Sequence, residues 1–164
     1  MKTLTIIRHA KSSWEQENLS DFERPLNERG RRDAPVMAAR LKQAVGQPAL
    51  IVSSPALRAI TTARVFADVL GISTDSIQLQ AKIYEASVGT LMQIIHDFDD
   101  HCPHIAIFGH NPGFSELSQR LAHCDFDELP TCGIAHISLP AKHWRDVSAG
   151  SGSLLYRSWP KDKN

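Results

Sequence analysis

Leu4-Thr5-Ile6-Ile7-Arg8-His9 is the stretch from which the rest of the chain is read. Its first four residues are apolar or β-branched, as in a strand buried on both faces. Where that strand runs out stand a guanidinium and an imidazole. Packing explains such a pair poorly, because arginine is rarely buried without a partner. The carboxyl ends of strands in open α/β sheets are also where those folds build their sites. The two groups suit one chemistry: a guanidinium fork holds phosphate oxygens while a neutral imidazole attacks phosphorus. A surface arginine beside a satisfied histidine reads the same way, so the dipeptide alone decides nothing.

Repetition decides it. Leu50-Ile51-Val52 is followed by Ser53-Ser54-Pro55-Ala56-Leu57-Arg58, and Ile105-Ala106-Ile107-Phe108 by Gly109-His110-Asn111-Pro112-Gly113. Each short apolar run empties into small or turn-forming residues and an Arg or His. In a parallel sheet the three ends lie side by side, which brings Arg8, His9, Arg58 and His110 to one pocket.

Strands alternate with helical patterns along the chain, which predicts an α/β fold: a three-layer α/β/α sandwich with a mostly parallel central sheet. Lys11 to Glu28 is polar and without periodicity, a long loop of the kind that carries function. A helix follows from about Asn27 through Val45, ended by Gly46 and Pro48. Pro35 either kinks it or opens a fresh first turn behind Asp33. Ala56 to Leu70 reads as a second helix closed by Gly71, and Ile77 to Gln80 as a short strand. Ser87 stands at the N-cap of a helix through Thr90-Leu91-Met92-Gln93-Ile94-Ile95. A further helix spans about Gly113 to Ala122. Gly133 to Leu139 alternates as a half-buried strand, and Leu154 to Trp159 reads as an edge strand beyond the turn Gly150-Ser151-Gly152-Ser153.

Composition removes several classes of function. The 164 residues, 42% of them hydrophobic, fit one domain spanning residues 1–164. Eighteen basic and eighteen acidic residues cancel, so no global field points to nucleic acid or an anionic membrane. The beginning of the sequence lacks a signal-peptide h-region, and no apolar run is long enough to span a bilayer. Three cysteines, Cys102, Cys124 and Cys132, are too few for a disulfide framework. Together these predict a cytoplasmic protein. His96, His101, Cys102 and His104 fall close enough to raise the question of zinc. Their segment reads as a solvated helix end and turn without a second spaced ligand pair, so neither metal nor cofactor is expected. His123, His136 and His143 read as ordinary surface or strand histidines.

The residues at the strand ends divide the chemistry among themselves. His9 is the candidate nucleophile, in its neutral form, leaving a phosphoimidazole that water hydrolyses. A second protein group must fix its tautomer. Arg8 and Arg58 hold the oxygens on which charge is stabilised in the transition state. His110 fits a cationic donor to the same group, which requires the two histidines to differ in protonation. Ser12 and Asn111 are candidates for neutral hydrogen bonds to the substrate.

The motif Arg8-His9-Ala10-Lys11-Ser12 resembles the Arg-His-Gly signature of the histidine phosphatase, or phosphoglycerate-mutase-like, superfamily. Arg24-Pro25-Leu26-Asn27-Glu28-Arg29-Gly30, Ser53-Ser54-Pro55-Ala56-Leu57-Arg58-Ala59 and Gly109-His110-Asn111-Pro112 follow in the family's order. The short chain and Gly133-Ile134-Ala135-His136-Ile137 are most similar to the SixA branch of protein-histidine phosphatases. This resemblance implies a three-layer domain, a phosphohistidine intermediate and no metal. Ala10 departs from the family's glycine, which is tolerable if Ala10 keeps a negative φ. Glu85 falls where larger relatives carry a proton donor, which makes it a candidate general acid; the alternative is an exposed loop glutamate. Arg24 either enters the pocket as a third clamp or pairs with Asp21 or Glu23 at the surface. Trp14 and Phe22 pack the loop down, Trp14 with a possible substrate contact, and Lys11 belongs to the rim.

With only Lys11 to Glu28 and Glu85 to Thr90 as walls, the pocket is expected to be shallow and open, suited to a phosphorylated side chain on a protein surface. The expected activity is hydrolysis of phosphohistidine in a protein partner. A phosphomonoesterase for a small phosphorylated metabolite and a non-catalytic phosphate-binding module are the alternatives.

Overall fold

The apolar runs become strands of one sheet. In the computed structural model, which describes residues 1–162, β1 is Lys2–Arg8, β2 Leu50–Ser53, β3 Gln78–Leu79, β4 His104–Gly109, β5 Ile134–Leu139 and β6 Ser153–Ser158. Across the sheet they lie in the order β3-β2-β4-β1-β5-β6. The first four in that order are parallel; β5 is antiparallel to β1, and β6 to β5.

Four helices cover the two faces: α1 Glu28–Ala44, α2 Leu57–Leu70, α3 Val88–His96 and α4 Gly113–Leu121. Successive strand residues enter opposite cores. Leu4, Ile6, Ile105 and Ile107 pack with Leu91, Ile95, Phe114 and Leu117 from α3 and α4. Ile7, Ile51, Ala106 and Phe108 pack with Met37, Leu41, Ala63 and Phe66 from α1 and α2. Burial on both faces is why these strands read as unbroken apolar runs. The result is the α/β/α sandwich expected.

The helix ends follow their sequence signals. The Asn27 side chain caps α1 by accepting from the Gly30 N–H at 2.8 Å, Ser87 caps α3 by accepting from the Thr90 N–H, and Gly71 closes α2 with φ 76°. α1 continues through Pro35, so no fresh helix starts there. Proline deletes one backbone donor, while Ala34, Met37, Ala38 and Leu41 are fully buried around it and hold the helix together.

The long loop after β1 is folded back on itself. A bridge joins Ser12 to Leu26, and the Asn27 N–H donates to the Lys11 carbonyl at 2.9 Å. A Cβ on Gly30 would collide with that same Lys11 oxygen, so glycine lets α1 begin directly against the loop. A third wall, absent from the sequence reading, comes from the connection between α4 and β5. There Leu129 is fully buried, and its carbonyl accepts from both Arg8 and Asn111.

Candidate active site

Arg8 lies opposite Gly109 in the β1–β4 pairing. The residues that follow, His9 and His110, therefore leave the sheet side by side, with ring centroids 5.3 Å apart. β2 ends one strand further on at Ser53, opposite Phe108. Ser54 follows, its Oγ 2.7 Å from Nε2 of His110, and Pro55-Ala56 lead into α2, whose first turn carries Arg58. His9, Arg58 and His110 are all buried, and parallel pairing has brought the four strand-end residues to one edge of the sheet.

The tautomer of His9 is fixed by its neighbour. Nδ1 lies 2.7 Å from the Ala10 carbonyl oxygen; a carbonyl only accepts, so Nδ1 carries the proton and Nε2 is the basic nitrogen. Burial pushes the His9 pKa down to about 3, and the charges of Arg58 and Arg8 act in the same direction against the opposing Ala10 carbonyl. His9 is therefore neutral at physiological pH. Ala10 avoids positive φ; among described non-glycine residues only Glu85 and Cys132 adopt it. The Ala10 N–H donates to Thr62 Oγ1 at 3.0 Å, and that hydroxyl donates to the Arg58 carbonyl at 2.7 Å. One threonine thus ties the backbone beside His9 to the helix that carries Arg58.

Arg8 donates from one terminal nitrogen to Leu129 O at 3.1 Å and lies 3.7 Å from the Glu128 carboxylate, while its Nε is buried without a partner. Arg58 spends both terminal nitrogens on Asp21: one donates to its carbonyl at 2.7 Å, the other to its carboxylate at 3.0 Å. His110 differs from expectation. Burial, then the Arg58 charge, pushes its pKa down to about 4 despite Asp21, so the protein alone favours the neutral ring at both histidines. A phosphoryl dianion at its buried, unpartnered Nδ1 would oppose that preference.

The remaining candidates fall into place unevenly. Arg24 is buried, stacked 3.2 Å over the Trp14 ring centroid, and donates to Ser12 Oγ, to Ser13 O and to Asp21 at 3.0 Å. It pairs with Asp21, though in the interior of the loop rather than at its surface. Ser12 is engaged with Arg24. The Asn111 amide donates to Leu129 O, and its oxygen accepts from the Ser115 N–H and hydroxyl, so contact with substrate would require exchanging one of these bonds. Glu85 is exposed and lines a cleft of about 420 Å³ together with Ser87, His110 and Glu116.

Sequence reasoning missed Asp21 as a site residue and gave no role to Tyr84 or Ser54. Asp21 accepts from Tyr84 at 2.7 Å as well as from the two arginines, and the Tyr84 ring stands edge-on to His110 at 5.5 Å. The spacing of Asp21 three residues before Arg24 was the available signal. The residues weighed for zinc have separate partners: His96 donates to Val147 O, His101 pairs with Asp99, and His104 pairs with Thr5. Among the described residues no group of three metal-binding side chains gathers, and no helix is long and apolar enough to cross a membrane.

A family model, the histidine phosphatase superfamily (branch 1), matches residues 4–106. The uncharacterized chloroplastic protein At3g52155 of Arabidopsis thaliana is 30% identical over 159 residues, covering 92% of this chain and 72% of its own. The uncharacterized protein Rv1276c of Mycobacterium tuberculosis is 29% identical over 159 residues, covering 91% and 96%. Among solved structures, a proposed phosphohistidine phosphatase SixA from Agrobacterium tumefaciens superposes with TM-score 0.81 at 24% identity, covering 97% of this chain and 98% of that one. The protein histidine phosphatase SixA complexed with tungstate gives 0.79 at 21%, covering 94% and 95%. These structural likenesses concern the fold.

Proposed function

The chain belongs to the histidine phosphatase superfamily (branch 1), and from that premise we propose that it is a metal-independent phosphohydrolase that dephosphorylates phosphohistidine in a protein partner. One observation carries the reading: a buried, neutral His9 whose Nδ1 proton is fixed on Ala10 O, leaving Nε2 basic beside Arg8, Arg58 and His110. Nε2 attacks phosphorus, the Nε2–P bond forms, and the bond to the leaving nitrogen breaks as that imidazole takes up a proton. Water then attacks the phosphoryl group on His9, releasing inorganic phosphate and returning the electron pair to Nε2. Arg8 and Arg58 hold the equatorial oxygens throughout, and His110 Nδ1 supplies a further donor.

The choice of a protein-borne substrate is supported by the walls. The site is bounded by the loop 11–28, which is folded back on itself, by the short turn at 84–87 and by the short stretch 127–129. The structures named SixA resemble the chain more closely than a mycobacterial glucosyl-3-phosphoglycerate phosphatase does, at TM-score 0.66 and 14% identity. Glu85 on the His110 cleft favours the second reading, a phosphomonoesterase for a small metabolite, because an alkyl-oxygen leaving group needs an acid.

The test is direct. Turnover of a phosphohistidine-bearing protein is compared with a panel of phosphomonoesters, and labelled substrate is quenched within the first turnover. The expected result is preference for the phosphoprotein, with acid-labile, base-stable label on His9 and none in His9→Ala. An active, folded His9→Ala enzyme removes the nucleophile, and preference for a monoester moves the reading to the second substrate class.

A further inference from the structure

The phosphate-binding arginine Arg58 is already held by an anion. Asp21 takes both terminal nitrogens of Arg58, one on its carbonyl and one on its carboxylate, and the same carboxylate accepts from Arg24 at 3.0 Å and from Tyr84 at 2.7 Å. Three donors from three parts of the chain (the loop itself, α2 and the turn before α3) fix one carboxylate within reach of the catalytic centre. Its charge is felt at His110, where it favours protonation. Those donors, Tyr84 first, hold the Asp21 carboxyl down to about 2, so it is an anion at every pH at which the enzyme would work.

We propose that Asp21 is a positioning and specificity-determining residue: an internal counter-ion that orients Arg58 and Arg24 and, by its fixed negative charge, limits the affinity of the site for inorganic phosphate. The inference rests on the reading of Arg58 as a phosphate ligand. A phosphoryl group seated on His9 must share Arg58 with Asp21, and two like charges on one guanidinium repel. The repulsion is greatest for a compact free dianion. It is smaller in the loose transition state of phosphoryl transfer, where the transferring group has metaphosphate character. Asp21 therefore weakens ground-state and product binding more than it weakens the transition state, which is the differential that catalysis requires. Without it, Arg58 would meet the product with its charge uncompensated, while Arg8 keeps Glu128 at 3.7 Å.

The sign of the effect separates this role from simple bracing. A brace, once removed, loosens Arg58 and weakens phosphate binding; a competing anion, once removed, strengthens it. The experiment measures inorganic phosphate binding by calorimetry and by competitive inhibition in wild type, Asp21→Asn and Asp21→Ser, with Glu23→Gln as a control. Glu23 lies in the same turn but bonds Ser20 at 2.8 Å. Asp21→Asn and Asp21→Ser should bind phosphate about tenfold tighter, equivalent to about 1.4 kcal/mol, with KM falling in parallel and kcat not rising. Glu23→Gln should match wild type. Equal or weaker phosphate binding in both Asp21 variants, with wild-type binding intact, overturns the inference alone. Absence of phosphate binding by the wild-type protein overturns the functional reading and this inference with it.

Discussion

Glu85 holds φ at 57°, a left-handed conformation uncommon for a residue with a Cβ and one that costs of order 1–3 kcal/mol, which the surrounding structure must offset. The turn is pinned on both sides, by Tyr84 on Asp21 and by the Ser87 cap of α3, and the carboxylate borders the cleft that His110 also lines. A proton donor there matters in proportion to the basicity of the leaving group. Alkoxide leaving groups depend on such an acid, whereas the imidazole of phosphohistidine departs with far less help. Glu85→Gln is therefore expected to lower turnover of an alkyl phosphate by about ten- to a thousandfold, the range general acids supply, while leaving most of the activity on a phosphohistidine protein. Steady-state kcat/KM on both substrates checks this. Equal losses would make Glu85 a residue that positions the loop or the phosphate.

The elements that carry the site were legible to different degrees, for physical reasons that differ. β1, β2 and β4 are buried on both faces, so Leu4 to Ile7, Leu50 to Val52 and Ile105 to Phe108 announce themselves as apolar runs, and parallel pairing then dictates that Arg8, His9, Arg58 and His110 meet. The loop 11–28 has no such period. Its order comes from Arg24 threading between Ser12, Asp21 and the Trp14 ring, contacts that no local pattern encodes, and so Asp21 read only as a surface partner. Leu129 was invisible for a similar reason: its role is played by a backbone carbonyl, which every residue has. Gly30 joins the legible and illegible parts. Because a Cβ there meets the Lys11 carbonyl, Gly30→Ala must push the loop away from the start of α1. The expected cost is about 1–3 kcal/mol, as for overpacking elsewhere, together with a fall in kcat/KM as Asp21 and Arg24 move with the loop. Denaturant unfolding and steady-state kinetics of the one variant measure both. Wild-type stability would mean that the loop yields without strain.

Across the whole molecule the histidines have a thermodynamic consequence that is independent of substrate. Burial lowers the pKa of His9 to about 3 and of His110 and His104 to about 4, all from an ordinary value of 6.5, and that of His136 as well. The last two flank Thr5 on the sheet face that packs on α1 and α2, with Thr5 Oγ1 2.7 Å from His104 Nε2 and 2.8 Å from His136 Nδ1. In each case the unfolded chain takes up a proton near pH 6.5 that the folded chain takes up only at lower pH: near 4 for His104 and His110, near 3 for His9, and lower than in the unfolded chain for His136. The unfolded state thus binds more protons over that interval, and unfolding free energy falls as pH falls. The contribution of these residues is complete above pH 6.5 and is lost progressively on acidification, each histidine adding a slope of up to about 1.4 kcal/mol per pH unit. Asp21, with its carboxyl lowered from 3.8 to about 2, adds to the loss only from about pH 3.8 downward, where His104 and His110 have largely taken up their protons. Urea unfolding between pH 7.5 and pH 4.5 should therefore show a falling midpoint that steepens below pH 6.5. The steepening should be reduced in His136→Gln, which removes one titrating ring while retaining a polar partner for Thr5. Saturating inorganic phosphate should raise the midpoint at every pH, since it binds the folded state, without abolishing the fall caused by His104 and His136, which flank Thr5 away from the phosphate site. A flat profile over this range would mean that the buried rings take up protons in the folded protein as readily as in the unfolded chain, and that His9 is not held neutral by its surroundings.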